Sequence, residues 1–469
     1  MPTSPFTSLK NLKDINIGDT VKELPSYLFS SVKTIDVITL PDSVTDIGAG
    51  TFANSSITDL ENCKNIESIE EYAFKNCVNL SSFDFADELR LIGMGAFSGC
   101  TGLKEIYIPD SVVNIEIGAF SDCSVLETVR MSPNVDYIPR EAFYNCVELS
   151  KFTWEAESKL IGRLAFANCA ALSEFDFVNI EKLYDNSFLN SGVTVAQLGE
   201  AKNEAASELK EIEAQSFMDC DNLATLGIGG NVTTIKTQAF ANCGNLETAV
   251  IADSVTEIAD DAFDGCDKLT IYCAENSYAH SYAQTQGIRV STFVIAPIPN
   301  QTYTGFEIKP EISVSASGDT LDKNIDFSVS YANNINVGNA DVTVKGMGDF
   351  RMFASKAKFT IVTKNISAVT VSPIADQPYT GSAITPELTV TDGLKVLREG
   401  TDYTVTYANN VNEGSATATI TGKGNYSGTA TTNFQISKDA EEPGFFAKIF
   451  SSISSFFARV ISFFASIFM

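Results

Sequence analysis

Residues 103–123 read LKEIYIPDSVVNIEIGAFSDC. The spacing Leu103-x-x-Ile106-x-Ile108 alternates apolar and polar positions, as a strand with one buried face does. Ile106 and Ile108 are expected to point inward and Tyr107 outward. Pro109 ends the strand, and Pro41 sits at the same phase of an earlier segment. A second apolar pair, Ile115 and Ile117, leads into Gly118-Ala119-Phe120. The small residues let the chain turn closely, and Phe120 is expected to fill the interior.

This segment is one beat of a long rhythm. Phenylalanine recurs at Phe29, Phe52, Phe74, Phe97, Phe120, Phe143, Phe166, Phe188, Phe217, Phe240 and Phe263, in steps of 22 or 23 residues with one step of 29. The strand pattern returns as Leu126, Val129 and Met131, as Leu149, Phe152 and Trp154, as Leu172, Phe175 and Phe177, and as Leu223, Leu226 and Ile228. A coil this short cannot bury both its faces alone. Stacked coils share one continuous core, with strands about 4.8 Å apart and an arc of roughly 50 Å for the whole series.

Cysteine keeps a second register. Cys77, Cys100, Cys123, Cys146, Cys169, Cys220, Cys243 and Cys266 each follow a beat phenylalanine by three residues. The expectation is a ladder of small buried thiols, because free cysteine behaves as a compact apolar residue. Equivalent Cβ atoms one strand apart exceed the ~3.5–4.5 Å that a disulfide needs. Ser55 and Ser191 replace cysteine at this phase, which a packing site tolerates and a bridge does not. No C-x-x-C occurs, so a structural zinc site has no support and no metal is expected.

Ala-Phe-x-Asn/Gly/Asp-Cys, then Leu-x-x-Ile-x-Ile-Pro, then Ser-Val-x-x-Ile-Gly resembles the BspA-like leucine-rich repeat family over about residues 9–292. The closing stretch from Leu269 to Val290 looks like that family's C-terminal cap, with a short helix over Ser277 to Gln286 and Gly287 as its stop. The resemblance implies a bacterial cell-surface or secreted protein used for adhesion or host contact, with no catalytic residues and no cofactor. The step of 29 departs from the pattern. Its extra residues fall near Gly199 to Glu208 and read as a surface loop.

A second rhythm begins after residue 295. Three motifs return 76 residues later: Gln301-Thr302-Tyr303-Thr304-Gly305 as Gln377-Pro378-Tyr379-Thr380-Gly381, Tyr331-Ala332-Asn333-Asn334 as Tyr407-Ala408-Asn409-Asn410, and Gly346-Met347-Gly348 as Gly422-Lys423-Gly424. Phe327, Val329 and Tyr331 alternate, as do Tyr403, Val405 and Tyr407. Each copy reads as a small antiparallel β-sandwich, immunoglobulin-like in the loose sense. The pattern resembles repeat modules in surface proteins of Gram-positive bacteria, which implies a stalk.

The fold class is therefore mainly β. A leucine-rich repeat solenoid with its cap (1–295) precedes two β-sandwich modules (296–366 and 367–437), a linker (438–443) and an amphipathic helix (444–469). In the last segment Lys448, Ser452, Ser455, Arg459, Ser462 and Ser466 form one polar stripe, while Phe445, Phe446, Phe456, Phe457, Phe463 and Phe464 lie on the apolar side. A helix of 25 residues would be about 37 Å long, enough to cross a bilayer. Arg459 at mid-span would cost roughly 2.5–3.5 kcal/mol, so insertion along a membrane interface or self-association fits better. No Leu-Pro-x-Thr-Gly sorting signal is present.

The 469 residues carry 59 acidic and 32 basic side chains, a formal charge of −27. Such a surface repels phosphate backbones and argues against nucleic acid as a partner. The start, MPTSPFTSLKNLKDI, lacks a signal peptide's basic and apolar regions, and the chain is read as beginning inside a longer one. His280 is the single histidine, no Gly-rich phosphate loop is present, and no enzymatic activity is expected.

Strand alternation places Asn16, Thr39, Asp84, Tyr107, Arg130, Thr153, Asp176, Gly227 and Val250 on one outward row. Asp84, Tyr107, Arg130, Thr153 and Asp176 are the candidate ligand-binding residues, for a protein or glycan of host origin. The competing readings are a self-assembling envelope scaffold without a specific ligand, and an enzyme whose catalytic domain lies upstream.

Overall fold

The computed structural model describes residues 4–200, 208–316, 318–351 and 353–438. Most of the inserted stretch after Gly199, and the whole apolar segment 444–469, lie outside them. The chain forms two compact units: one holds residues 1–294 with 314–328 and 345–355, the other 295–313, 329–344 and 356–469.

The first unit is a stack of short coils whose repeat strands pair in parallel with those of the next coil. A front face carries strands such as Glu105–Tyr107, Thr128–Arg130 and Lys151–Thr153, paired Ile106 to Val129 to Phe152. A second ladder runs through two-residue strands, from Glu23–Leu24 through Asp46–Ile47, Ser68–Ile69 and Leu91–Ile92 to Asn114–Ile115. Between the ladders lies one continuous core, with Leu103, Ile106, Ile108 and Phe120 fully buried. Ile117 does not join it and is 46% exposed. The strand ends at Ile115, the chain then enters the turn at Gly118, and strand alternation no longer applies.

The beat phenylalanines form a single column. Adjacent ring centroids are 5.0–5.6 Å apart from Phe29 to Phe263, at interplanar angles of 0–18°. The long step leaves the column undisturbed, since Phe188 and Phe217 stack at 5.2 Å with parallel planes. Phe6, one step of 23 before Phe29, extends the column at 5.8 Å. Tyr282 closes the far end, 6.2 Å from Phe263. It comes from the cap helix Tyr278–Gln286, whose N-cap Ser277 accepts from the His280 N–H and whose C-cap Gly287 is left-handed.

The turn around each phenylalanine explains the Asn/Gly/Asp of the repeat. The residue two after each beat has positive φ in every coil: Ser31, Asn54, Asn76, Gly99, Asp122, Asn145, Asn168, Asn190, Asp219, Asn242 and Gly265. Asparagine, aspartate and glycine are the residues that enter the left-handed region at least cost. The amides also link the coils: Asn168 Nδ2 donates to Asn145 Oδ1 at 2.6 Å, and Asn145 Nδ2 to Asp122 Oδ1 at 2.9 Å. At Gly99 a Cβ would stand 2.3 Å from Asn76 Oδ1, so a side chain here would make that amide shift.

The ten cysteines are free and buried. Each ladder thiol donates to the phenylalanine carbonyl of the preceding coil, as Cys123 does to Phe97 O at 3.2 Å and Cys146 to Phe120 O at 3.2 Å. The thiols thus bring a second donor to carbonyls that mostly already accept a turn N–H, as Phe97 O does from Cys100 N at 3.1 Å, besides filling space. Where serine replaces cysteine the hydroxyl instead meets the thiol of the next coil, with Ser55 Oγ 3.6 Å from Cys77 Sγ.

In the second unit, residues Gln377–Pro378, Thr429–Ser437, Gly414–Gly422 and Tyr403–Ala408 form a four-stranded sheet in that order. The same order recurs in the preceding copy with Gln301–Thr302, Ala354–Val362, Gly338–Gly346 and Phe327–Ala332. The long strands pair antiparallel, but the short edge strand pairs in parallel, Gln377 with Ile436 and Gln301 with Ile361. The linker strand Lys364–Asn365 pairs with Tyr426–Ser427, and Lys364 Nζ lies 2.6 Å from Asp392 Oδ1. Tyr303 and Tyr426 meet edge to face at 5.5 Å, with the Lys395 ammonium about as far from each ring.

Two outcomes test this packing. Phe143→Ala should cost about 3–5 kcal/mol, read as a lower midpoint in urea unfolding. A change under 1 kcal/mol would mean that the column does not carry the fold. Burial pushes the Cys63 and Cys123 thiols up to about 12 and those of Cys77 and Cys220 up to about 11. The folded chain therefore holds these protons more tightly than the unfolded one. The resulting stabilisation is complete below the ordinary thiol pKa of about 8.5 and is lost as pH rises towards 12. Native protein at pH 8 should resist a chromogenic disulfide reagent, urea-unfolded protein should react at all ten cysteines, and the melting temperature should fall above about pH 9. Rapid native labelling of several thiols would contradict the ladder.

Candidate functional site

The front ladder places three of the expected residues side by side. Tyr107 pairs with Arg130, and Arg130 with Thr153, in consecutive coils. All three point outward, while Ile106, Val129 and Phe152 on the same strands point into the core. Thr39 pairs with Glu61 in the same manner nearer the start. Asp84 and Asp176 hold the same phase and are exposed, but they lie in coils without a front strand. Glu61 was absent from the expected row and belongs to it. Its signal was its position, 22 residues after Thr39 and 23 before Asp84.

Local contacts set the direction of the outward side chains. The Tyr107 hydroxyl donates to Glu105 Oε2 at 3.1 Å, and this carboxylate holds the phenol above its ordinary pKa. Arg130 Nη2 lies 3.0 Å from Asp110 Oδ1, and Nη1 donates to Ile108 O at 3.4 Å. Thr39 Oγ1 donates to Glu61 Oε2 at 2.6 Å. Tyr107 remains 56% exposed, a large aromatic surface beside a guanidinium. Tyrosine and arginine are the residue types that most often anchor protein interfaces.

The row does not stay open along its length. Gly227 and Val250 occupy the expected strand positions, in register with each other and with Gln197, but they are buried. Val250 has no exposed surface. Towards this end of the sheet Tyr272 and Phe293 pack against Phe350, and Phe293 stacks on Phe353 at 3.9 Å. There the outward face becomes an internal surface of the first unit. The available stretch therefore runs from Thr39 to Asp176, and Gln197 marks its limit at 7% exposure.

No group of three or more His, Cys, Asp or Glu among the described residues could hold a metal ion. His280 lies on the cap helix, where its Nε2 is 3.3 Å from Gln284 Nε2. No described helix is long and apolar enough to cross a membrane.

The repeat is found in other proteins. The BspA type leucine rich repeat region matches this chain in six copies, over residues 1–112, 67–194 and 195–270, which is more than half of its length. The chain belongs to the BspA-type leucine-rich repeat family. Among solved structures, this BspA-type chain is similar to the T. pallidum leucine rich repeat protein, with 30% identity and a TM-score of 0.32, over 32% of this chain and 72% of that one. It is also similar to a leucine-rich repeat protein from Bacteroides ovatus (20% identity, TM-score 0.29, 58% and 87% covered). A leucine rich cell surface protein from Faecalibacterium prausnitzii matches at 21% identity and a TM-score of 0.27, over 56% and 85%. No curated protein matches the chain.

Proposed function

We propose that this BspA-type protein is a non-catalytic binder at a bacterial surface. It recognises a protein or glycan, of host origin, through the open row of its solenoid. The observation that carries the reading is the Tyr107–Arg130–Thr153 register, three outward side chains of complementary chemistry on adjacent strands. The scaffold beneath is closely packed, so these groups are held in place before a partner arrives, which lowers the cost of binding. Family membership supports a surface location. The two 76-residue copies serve as stalk modules of an immunoglobulin-like, β-sandwich kind, and the segment 444–469 associates with a membrane or envelope or with its own kind.

The row is tested with the full chain, immobilised and offered purified extracellular-matrix proteins and glycans. Replacing Tyr107, Arg130 and Thr153 together by alanine should weaken capture at least tenfold. It should change stability by no more than about 1 kcal/mol, because the Arg130–Asp110 pair is exposed. Undiminished capture by the triple variant would remove the row from the binding surface. A chain that captures nothing yet self-assembles would favour the scaffold reading.

Deleting residues 443–469 should abolish partitioning into vesicles or reduce the oligomer seen by light scattering. If both are unchanged, the tail has neither role.

A further inference from the structure

Lys159 has no exposed surface. Burial of an unpaired ammonium costs several kcal/mol, so its partners define its purpose. Its Nζ lies 2.8 Å from Asp176 Oδ2 and 5.6 Å from the centroid of the Trp154 ring. Trp154 is itself fixed, with Nε1 donating to Val135 O at 2.7 Å. The other Asp176 oxygen, Oδ1, accepts from the Val178 N–H at 3.1 Å. The Asp176 side chain is nonetheless 54% exposed. A buried lysine and a backbone amide thus aim one carboxylate towards solvent.

Asp176 forms part of the wall of a cleft of about 320 Å³, which Glu174, Phe175, Gln197, Glu200 and Arg351 also line. Arg351 Nε lies 3.4 Å from Glu200 Oε1. Gln197 is only 7% exposed, and its Oε1 is buried with no hydrogen-bond donor. A buried acceptor without a donor costs about 1–3 kcal/mol. Phe175 is half-buried at the cleft.

We propose that this cleft binds one residue of a neutral saccharide. The inference rests on the binding role proposed above and names the ligand class for this end of the row. The volume is at the lower end of the range for small-ligand sites. Two of the three carboxylates already have a cation, Asp176 from Lys159 and Glu200 from Arg351, so the site lacks neutral donors rather than further positive charge. Adjacent sugar hydroxyls donate to the fixed Asp176 carboxylate. Rotation of the Gln197 amide towards the cleft brings its Oε1, closed to solvent as it stands, to a further hydroxyl or an acetamido N–H of the sugar. The C–H face of the sugar lies on Phe175, and Arg351 donates to a sugar oxygen. Glu174 adds uncompensated negative charge, which disfavours sialylated and sulfated sugars.

The test uses the full chain on a printed panel of neutral hexose- and N-acetylhexosamine-terminated oligosaccharides, with sialyllactose and sulfated lactose as anionic arms. Hits are then measured by calorimetry. Neutral sugars should bind and the anionic ones should not. Gln197→Leu should lower neutral-sugar affinity at least tenfold while leaving the melting temperature equal or higher, since it removes the orphaned acceptor. Asp176→Asn should also weaken binding, and it should lower the melting temperature because buried Lys159 loses its counter-charge, so Gln197→Leu is the variant that separates binding from folding. Binding of anionic sugars alone, no binding on the panel, or wild-type affinity in a folded Gln197→Leu variant would each overturn the inference. If no sugar binds while the wild-type chain still captures a partner that the Tyr107, Arg130, Thr153 variant loses, the cleft falls and the row stands. If neither probe binds, both fall.

Discussion

Face-to-face stacking of phenylalanine from coil to coil is the contact on which the solenoid depends. Each ring has a neighbour above and below, and each such pair contributes about 0.5–1.5 kcal/mol beyond the area it buries. The rings, 5.0–5.6 Å apart, advance in step with the backbone ladders, whose strands pair in parallel about 4.8 Å apart. The turn residues take left-handed backbone so that the next ring can return to the column, and the thiol one residue further on supplies a donor to the phenylalanine carbonyl of the coil before. Aromatic, amide and thiol columns are three consequences of one geometric demand.

A fixed spacing also gives the outward row its character. Side chains at the same phase of adjacent coils are held about 4.8 Å apart whatever their chemistry. The surface can vary residue by residue without disturbing the core, because inward and outward positions alternate along the strand. Tyr107, Arg130 and Thr153 differ in charge and size, yet Ile106, Val129 and Phe152 beneath them form an uninterrupted apolar layer. This separation suits a binding scaffold.

The ends and the flank of the solenoid follow other rules. Phe6 and Tyr282 extend the aromatic column beyond the regular coils. At the far end of the front sheet, Phe350 and Phe353 pack on Tyr272 and Phe293, and the row ceases to be a surface. Close to that limit, Lys159, Asp176 and Gln197 form the most unusual polar arrangement in the first unit. Lys159 is a buried ammonium held by one exposed carboxylate, and Gln197 is a buried amide whose oxygen lacks a donor.

Periodicity made the coil legible. A residue's place in a 23-residue turn follows from counting, and the count placed the beat phenylalanines, the buried thiols and the Tyr107–Arg130–Thr153 row, while the cap helix was read from its family resemblance and from Gly287 as its stop. Phe6 was within reach of the same count. Counting could not show that Ile117 leaves the core, because that depends on where a two-residue strand stops. Nor could it show that Gly227 and Val250 are covered, or that Lys159 reaches Asp176 from a different coil. A repeat determines which way a side chain faces within its own turn; only the packed chain decides what, if anything, comes to lie against it from outside.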